Sequence, residues 1–373
     1  MNETVATGFD TFDLVAMGLK IALIVVILLQ VVPIMVCVER RGSALLQNRL
    51  GPNRIGPLGL LQSLVDAVKM MFKEDRITGH VNPFYYRLAP LISLIPAFMT
   101  FAAIPFASHI VLDGHTVEFQ IADLNVGLLY ILSITSLSVY GIIMGSWASN
   151  NKYAIFGGLR SAAQMISYEL SMGLSIIGLV MIVGSLKLGD IATAQGIAMM
   201  HLGPIAIPKW GIFLQPLGFI IFLTCTYAET NRLPFDLPEG ESEIVAGYHL
   251  EYYSMMFGMF MMAEYINMTV AAALTATLYF GGWQIFPGLA EGFVWISNHF
   301  GLTGMAYEWV RVLLEATCFT VKTAFFMWLF VWVRWTIPRF RYDQLMALGW
   351  KVMLPLSLAN IFITGLLIYL KVL

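Results

Sequence analysis

The chain reads as a series of apolar runs of about twenty residues, separated by polar loops. Eight such runs can be drawn, at 15–38, 88–107, 126–147, 162–183, 212–227, 254–278, 309–333 and 352–373. A run of that length matches a ~30 Å hydrocarbon core at about 1.5 Å rise per helical residue. The runs are continuous rather than alternating, which argues against a β-barrel. The fifth is short, and Pro216 near its start leaves its outer boundary open. The first reads as a span and not a signal peptide, because Glu3, Asp10 and Asp13 precede it and no base does. Between the first two runs, Gly51-Pro52-Asn53 and Gly56-Pro57 signal turns. After them Leu61, Leu64, Val65, Val68, Met71 and Phe72 recur at helical spacing, with Gln62, Asp66, Lys69 and Lys73 opposite. That pattern predicts an amphipathic helix at 58–73, lying in the membrane interface. On pattern alone it is either passive, or it walls a lipid-facing entrance or receives a partner.

Composition narrows the class. The 373 residues are 58% hydrophobic and 12% charged, against about 25% charged in soluble domains. Mean hydropathy is +0.77. Lys and Arg place the loops: fifteen fall in 39–87, 148–161, 228–253 and 334–351, and three in the remaining loops and the C-terminal end. By the positive-inside bias the first set is internal. The expected fold is therefore an all-α polytopic membrane protein, one integral-membrane domain over 1–373. It has eight transmembrane helices and an amphipathic interfacial helix, with both termini on the outer, periplasmic side. Segment 1–14 is then outer, and loops 39–87 and 228–253 are inner. A net charge of −2 gives no footprint for nucleic acid. The three cysteines are far apart with no Cys-x-x-Cys, and the six histidines are scattered singly. Neither pattern forms an iron–sulfur, haem or zinc site. No internal repeat is visible, which weakens an inverted-repeat transporter.

Acid is where a membrane protein has no fold-level need for it. The stretch 228–243 carries Glu229, Asp236, Glu239, Glu241 and Glu243 against a single base, Arg232. Glu251 follows in the same loop. Glu169 lies seven residues into the fourth run and Glu264 ten residues into the sixth, so roughly 10 Å and roughly 15 Å deep. An ionised carboxylate facing lipid there costs several kcal/mol, so each is protonated, paired or set in a polar cavity. One reading pairs them structurally, for example with Arg160 or Lys322. The other makes them a relay for protons or another cation, since clustered carboxylates share protons. In the seventh run Glu308, Arg311 and Glu315 have the spacing of local pairs. Lys322 is deep and unassigned, and Lys20 can snorkel outward.

At this point a resemblance becomes specific. It is carried by Glu39-Arg-Arg-Gly, Arg49-Leu-Gly-Pro-Asn-Arg54, Gly59-Leu-Leu-Gln62, Asp66-Ala-Val-Lys69, Trp147-Ala-Ser-Asn150 and Ser167-Tyr-Glu169. Further along are Ala228-Glu-Thr-Asn-Arg232, Pro234-Phe-Asp236, Glu239-Gly-Glu-Ser-Glu243, Met262-Ala-Glu-Tyr265 and Pro338-Arg-Phe-Arg-Tyr-Asp-Gln-Leu345. These motifs resemble the membrane subunit that joins the two arms of respiratory complex I, the H subunit of bacterial NADH-quinone oxidoreductases and subunit 1 in mitochondria. The likeness runs from about residue 15 to the C-terminus. The stretch 281–304 is longer than in the mitochondrial form.

The resemblance implies a translocase component that forms much of the quinone chamber and couples quinone reduction to proton translocation. It implies chamber residues Arg40, Arg49, Asp66, Phe235 and Asp236, and a relay of Glu169, Glu229, Glu239, Glu241, Glu243, Glu251 and Glu264. Helix 58–73 would help frame the quinone entrance. Quinone, expected to be ubiquinone, is the substrate; FMN, iron–sulfur clusters and metals are expected to be absent from this chain and held by peripheral-arm partners. The partners implied are those quinone-site and iron–sulfur subunits, docked on loop 148–161 and on Arg334, Arg339 and Arg341, together with small neighbouring membrane subunits and lipid. The location implied is a bacterial inner membrane, or the mitochondrial one. Two other classes also use buried carboxylates: the membrane subunit of an energy-converting hydrogenase, and a secondary cation/proton antiporter. A purely structural anchor is the third alternative, against which the depth of Glu169 and Glu264 argues.

Overall fold

A computed structural model describes residues 11–112, 115–202, 205–237, 245–286, 289–300 and 304–371. Glu239, Glu241 and Glu243 lie outside the described residues. Seven helical segments are long and apolar enough to cross a membrane. They are α1 (Thr11–Leu46), α3 (Pro83–Thr100, continued by a short 3₁₀ turn), α4 (Gly127–Ala148), α5 (Lys152–Val183), α9 (Ser254–Tyr279), α11 (Met305–Thr336) and a C-terminal unit. That unit is α12 (Tyr342–Ala347), a π-helical stretch Leu348–Met353 and α13 (Leu354–Tyr369). The remaining helices are α2 (Gln62–Phe72), α6 (Leu188–Ala194), α7 (Gly211–Leu214), α8 (Pro216–Glu229) and α10 (Leu289–Phe300). Beside the helices stand two antiparallel hairpins, β1 (His109–Leu112) with β2 (His115–Glu118), and β3 (Ala198–Leu202) with β4 (Ile205–Pro208). The all-α expectation missed them because each strand is only four or five residues long.

Helix ends depart from the hydropathy runs for identifiable reasons. α1 runs eight residues past the predicted boundary, so it is about 54 Å long at 1.5 Å per residue. Its polar end is held by neighbours, Glu39 by Arg334 and Arg232 and Arg40 by Asp66. α5 begins at Asn151, whose side chain accepts the Tyr153 N–H as an N-cap. Hydropathy does not register a cap, so the predicted start was ten residues late. The fifth run is broken at Gln215, where φ −136° and ψ 59° separate α7 from α8 and Pro216 restarts the helix.

α9 is the axis of the bundle. It is buried without interruption from Met268 to Tyr279, along the small-residue stretch Thr269-Val-Ala-Ala-Ala-Leu-Thr-Ala-Thr277. Small residues let helix backbones approach where the apolar solvent supplies no hydrophobic drive. The same device joins α3 to α4: a Cβ on Gly141 would stand 2.1 Å from Ser93 Oγ and 2.9 Å from the Ala89 carbonyl. Outward faces are apolar instead of polar, with Leu19, Leu313 and Phe362 at 67%, 63% and 76% exposure. That is the inversion expected of a chain whose surface meets acyl chains.

Candidate functional site

Charged residues gather where the polar end of α1, α9, α11 and the segment after α8 meet. Glu39 on α1 is buried. Its carboxylate receives Arg334 of α11, the Tyr265 hydroxyl at 2.6 Å and Arg232 Nη1 at 3.5 Å. Arg232 also holds Glu264 of α9, Nε to Oε1 at 3.1 Å, and its guanidinium lies 4.4 Å from the Tyr265 ring centroid. Burial works against its charge, but Glu264 and Glu39 outweigh that and hold its pKa above the ordinary arginine value. Asp236, also buried, accepts from Arg339 Nη2 at 2.9 Å. Together these form a compact array of three carboxylates and three guanidiniums.

Glu264 is thus paired, but not with either base expected. Arg160 instead lies over the Tyr342 ring at 5.6 Å. Lys322 donates to the carbonyls of Phe280, Gly282 and Gln284 at 2.8, 3.0 and 2.6 Å. Those carbonyls sit at the far end of α9, sixteen or more residues from Glu264, about 24 Å along the helix. Lys322 is therefore a cap on the turn that follows α9. In α11, Arg311 lies 2.7 Å from Glu308 and 3.7 Å from Glu315, the local pairing expected.

Glu229 ends α8, where hydroxyls and amides are set among apolar side chains around small voids. It borders two cavities. One, of about 20 Å³, is lined by Thr135, Ser138, Thr226 and Asn267 among apolar neighbours. The other, of about 30 Å³, is lined by Ser93, Ser138, Asn231, Asn267 and Glu264. Each has room for one or two waters at about 10–15 Å³ apiece, with polar partners to hold them. Leu132 separates the first cavity from a groove of about 720 Å³ between α4, α5 and the start of α13, and Glu169 lines that groove with Ser136 and Tyr140. Among the described residues neither Glu229 nor Glu169 has a basic partner within salt-bridge distance. Glu169 is set by its neighbours on α5: the Tyr168 hydroxyl donates to the Leu345 carbonyl at 2.9 Å, and Trp350 Nε1 donates to Ser167 Oγ at 3.1 Å. The latter tryptophan belongs to the π-helical stretch, a feature frequent at functional sites.

Glu251 stands apart from this line. It accepts from Thr78 at 3.2 Å and Asn151 at 3.1 Å, with His80 at 3.4 Å. It ties three loops together. Nearby His249 is enclosed by Tyr248, Phe257 and Phe260, and burial pushes its pKa down to about 3.

The other expected residues divide. Arg40 bonds Asp66 at 2.5 Å, and Gln62 bonds the same carboxylate at 2.9 Å, tying α2 to the end of α1. Burial works to raise the Asp66 pKa, but Arg40 and Gln62 outweigh it and hold the carboxyl below its ordinary range. The outer face of α2 leaves Leu64, Val68, Met71 and Phe72 exposed. Arg49 is exposed, and its side chain donates to Gln47 Oε1 at 2.7 Å. Phe235 is in the core, with ring centroids 5.6 Å from Tyr168 and 5.5 Å from Phe340. Of the three arginines expected to dock a partner, Arg334 and Arg339 are engaged internally, by Glu39 and Asp236, and Arg341 is on the surface beside Asp343.

The sequence reading missed Glu39 as a site residue. Its signal was available: a carboxylate at the end of the first run, in a chain where two buried acids needed a shared base.

The family model described as NADH dehydrogenase matches residues 19–365. The H subunit of the NADH-quinone oxidoreductase of Bdellovibrio bacteriovorus is 46% identical over 379 aligned positions, covering 97% of this chain and 98% of the relative. An H subunit of the NADH-quinone oxidoreductase of Geobacter sulfurreducens, the one numbered 2, is 46% identical, with 95% and 96% covered. NADH-quinone oxidoreductase subunit 8 of Rhodothermus marinus is 46% identical, with 92% and 94% covered. With a match over nearly its whole length, and spans to embed it in a membrane, the chain belongs to the family of NADH-quinone oxidoreductase H subunits.

Proposed function

We propose that this chain is the membrane subunit of an NADH:quinone oxidoreductase at the junction with the peripheral arm, where it forms much of the quinone chamber and passes the charge of quinone reduction into the membrane as proton movement. It is a single integral-membrane domain. α8, 14 residues long and preceded by α7, is the eighth span. Both termini are outer, and α2 lies in the inner interface with its exposed apolar side chains toward acyl chains, framing the quinone entrance. The home membrane is a bacterial inner membrane and the quinone is ubiquinone. Flavin and iron–sulfur centres belong to peripheral-arm partners, for which Arg341 and loop 148–161 are the docking points.

One observation carries this reading: Glu264 and Glu229 share a water-sized cavity, and Glu229 borders a second one that Leu132 parts from the groove lined by Glu169. A carboxylic acid deep in hydrocarbon without a counter-charge is costly, and such residues mark proton relays. Water in the two small cavities supplies the intervening donors and acceptors. Glu239, Glu241 and Glu243 form the mouth of the relay, and Glu251 holds the surrounding loops. Arg40, Arg49, Asp66, Phe235 and Asp236 belong to the chamber, Phe235 and Asp236 by shaping its wall from within the core. The ion is H⁺.

The test is Glu264→Gln and Glu169→Gln in the assembled complex. Both should lower quinone-dependent NADH oxidation and vesicle acidification while assembly is intact. Pumping by both variants at the parental rate removes these residues from the relay.

A further inference from the structure

Arg232 is a buried guanidinium in an unusual position. It stands between carboxylates from two different helices and is close to ideal with neither. Charge-assisted N–H···O contacts run about 2.7–2.9 Å. Arg232 Nη1 is 3.5 Å from Glu39 and Nε is 3.1 Å from Glu264. Among the described residues, Nε and Nη2 make no hydrogen bond. On the Glu39 side it also has a competitor, because Arg334 binds the same oxygen, Oε1. On the Glu264 side is the 30 Å³ cavity that Glu264 shares with Glu229. The Tyr265 ring supports the guanidinium at 4.4 Å by a cation–π contact that tolerates sliding.

We propose that Arg232 is the movable counter-charge of the relay, a positioning residue that is divided between Glu39 and Glu264 and whose share decides whether Glu264 can accept a proton. This rests on the relay reading above. A displacement of about 0.6 Å toward Glu39 closes that contact from 3.5 Å to about 2.9 Å, and it lengthens and weakens the 3.1 Å contact that compensates Glu264. Glu264 then takes the proton carried by Glu229, through water in the shared cavity: one O–H bond breaks and one forms. The reverse displacement returns the guanidinium to Glu264 and expels the proton. The input is the hold of Arg334 on Glu39. Negative charge arriving near Arg334 draws it off, frees Glu39 for Arg232, and so unmasks Glu264. This is a two-position element that both sides bias, which is the physical requirement for coupling two sites.

The experiment uses the whole complex in inverted membrane vesicles. NADH oxidation by a water-soluble artificial acceptor gauges assembly; quinone-dependent oxidation and vesicle acidification are the readouts. Glu39→Gln leaves Arg232 with Glu264 alone. Arg232→Lys keeps the charge, but one ammonium cannot serve both carboxylates. Each should reduce both readouts about tenfold, the scale of ~1.4 kcal/mol. Glu39→Gln combined with Glu264→Gln should cost no more than Glu264→Gln alone, because both act through one guanidinium. Arg232→Lys preserves the local charge balance, so the test stands on it even if Glu39→Gln fails to assemble. Losses that multiply in the double variant, or an Arg232→Lys complex that pumps at the parental rate while Glu264→Gln is impaired, overturn this proposal alone. A Glu264→Gln complex at the parental rate overturns the relay reading beneath it.

Discussion

Gly157→Ala separates the local preference of a helix from the demands of its packing. On an exposed α5 this change would stabilise, since alanine is favoured over glycine by about 0.8–1.0 kcal/mol in a helix interior. Gly157 is buried, however, and faces the 3₁₀ turn Gly247–His249. A Cβ there would lie 2.6 Å from Gly247 Cα, 2.8 Å from Tyr248 N and 2.9 Å from Gly247 C. Carbon atoms pack at about 3.5–4.0 Å, so the turn must retreat by about 1 Å. The obstacle is backbone and cannot swing away as a side chain could. That retreat stretches the bonds of Glu251 to Thr78 and Asn151, now 3.2 and 3.1 Å, beyond hydrogen-bonding range. Overpacking costs about 1–3 kcal/mol and each lost bond about 1 kcal/mol. Against the propensity gain, the net is about 2–4 kcal/mol against docking of the turn. Hydrogen exchange at 245–253 in the assembled complex should therefore rise by about 1.5 to 3 orders of magnitude, and quinone-dependent oxidation should fall with it. Unchanged exchange with a more stable α5 would refute the argument, because it would mean that the turn is not held against the helix.

Two further outcomes follow from the same kind of accounting. Lys322→Met strips three carbonyls of a charged donor and two aromatic rings, Trp210 and Phe286, of a cation at 5.3 and 5.2 Å. The recovered desolvation cost offsets part of this, so a loss of about 2–4 kcal/mol is expected; protease nicking of the segment near 281–286 should accelerate, and equal nicking rates count against the cap. For Asp66 the sign is that of a depressed carboxyl: its contribution is present above the ordinary pKa of 3.8 and is lost as pH falls through the lower folded value. A spin label on α2 should thus keep its immobilised signal down to about pH 4 and lose it only below, whereas Asp66→Asn should be mobile at all pH values.

Much of the architecture was written in the order of polar and apolar residues. Seven of the eight runs correspond to helical segments long and apolar enough to span a membrane, because in hydrocarbon a backbone has few choices but to bond within its own helix. The acids, too, were legible: Glu169, Glu229 and Glu264 stand out because charge in an apolar run demands a reason. The short hairpins were not, since four or five residues give no periodicity to read. Nor were the true end of α1 and the true start of α5, which are set by ion pairs and by a cap.

What only the tertiary structure decided is which charge meets which. Glu39 and Glu264 are 225 residues apart, and nothing in their local sequence says that one arginine stands between them. Lys322 and Arg160 were equally plausible partners until packing sent one to the turn after α9 and the other to Tyr342. Hydropathy is a property of each segment alone and survives without the others. Ion pairing and water-sized cavities depend on distances of a few tenths of an ångström between helices, and those exist only once α1, α8, α9 and α11 have packed.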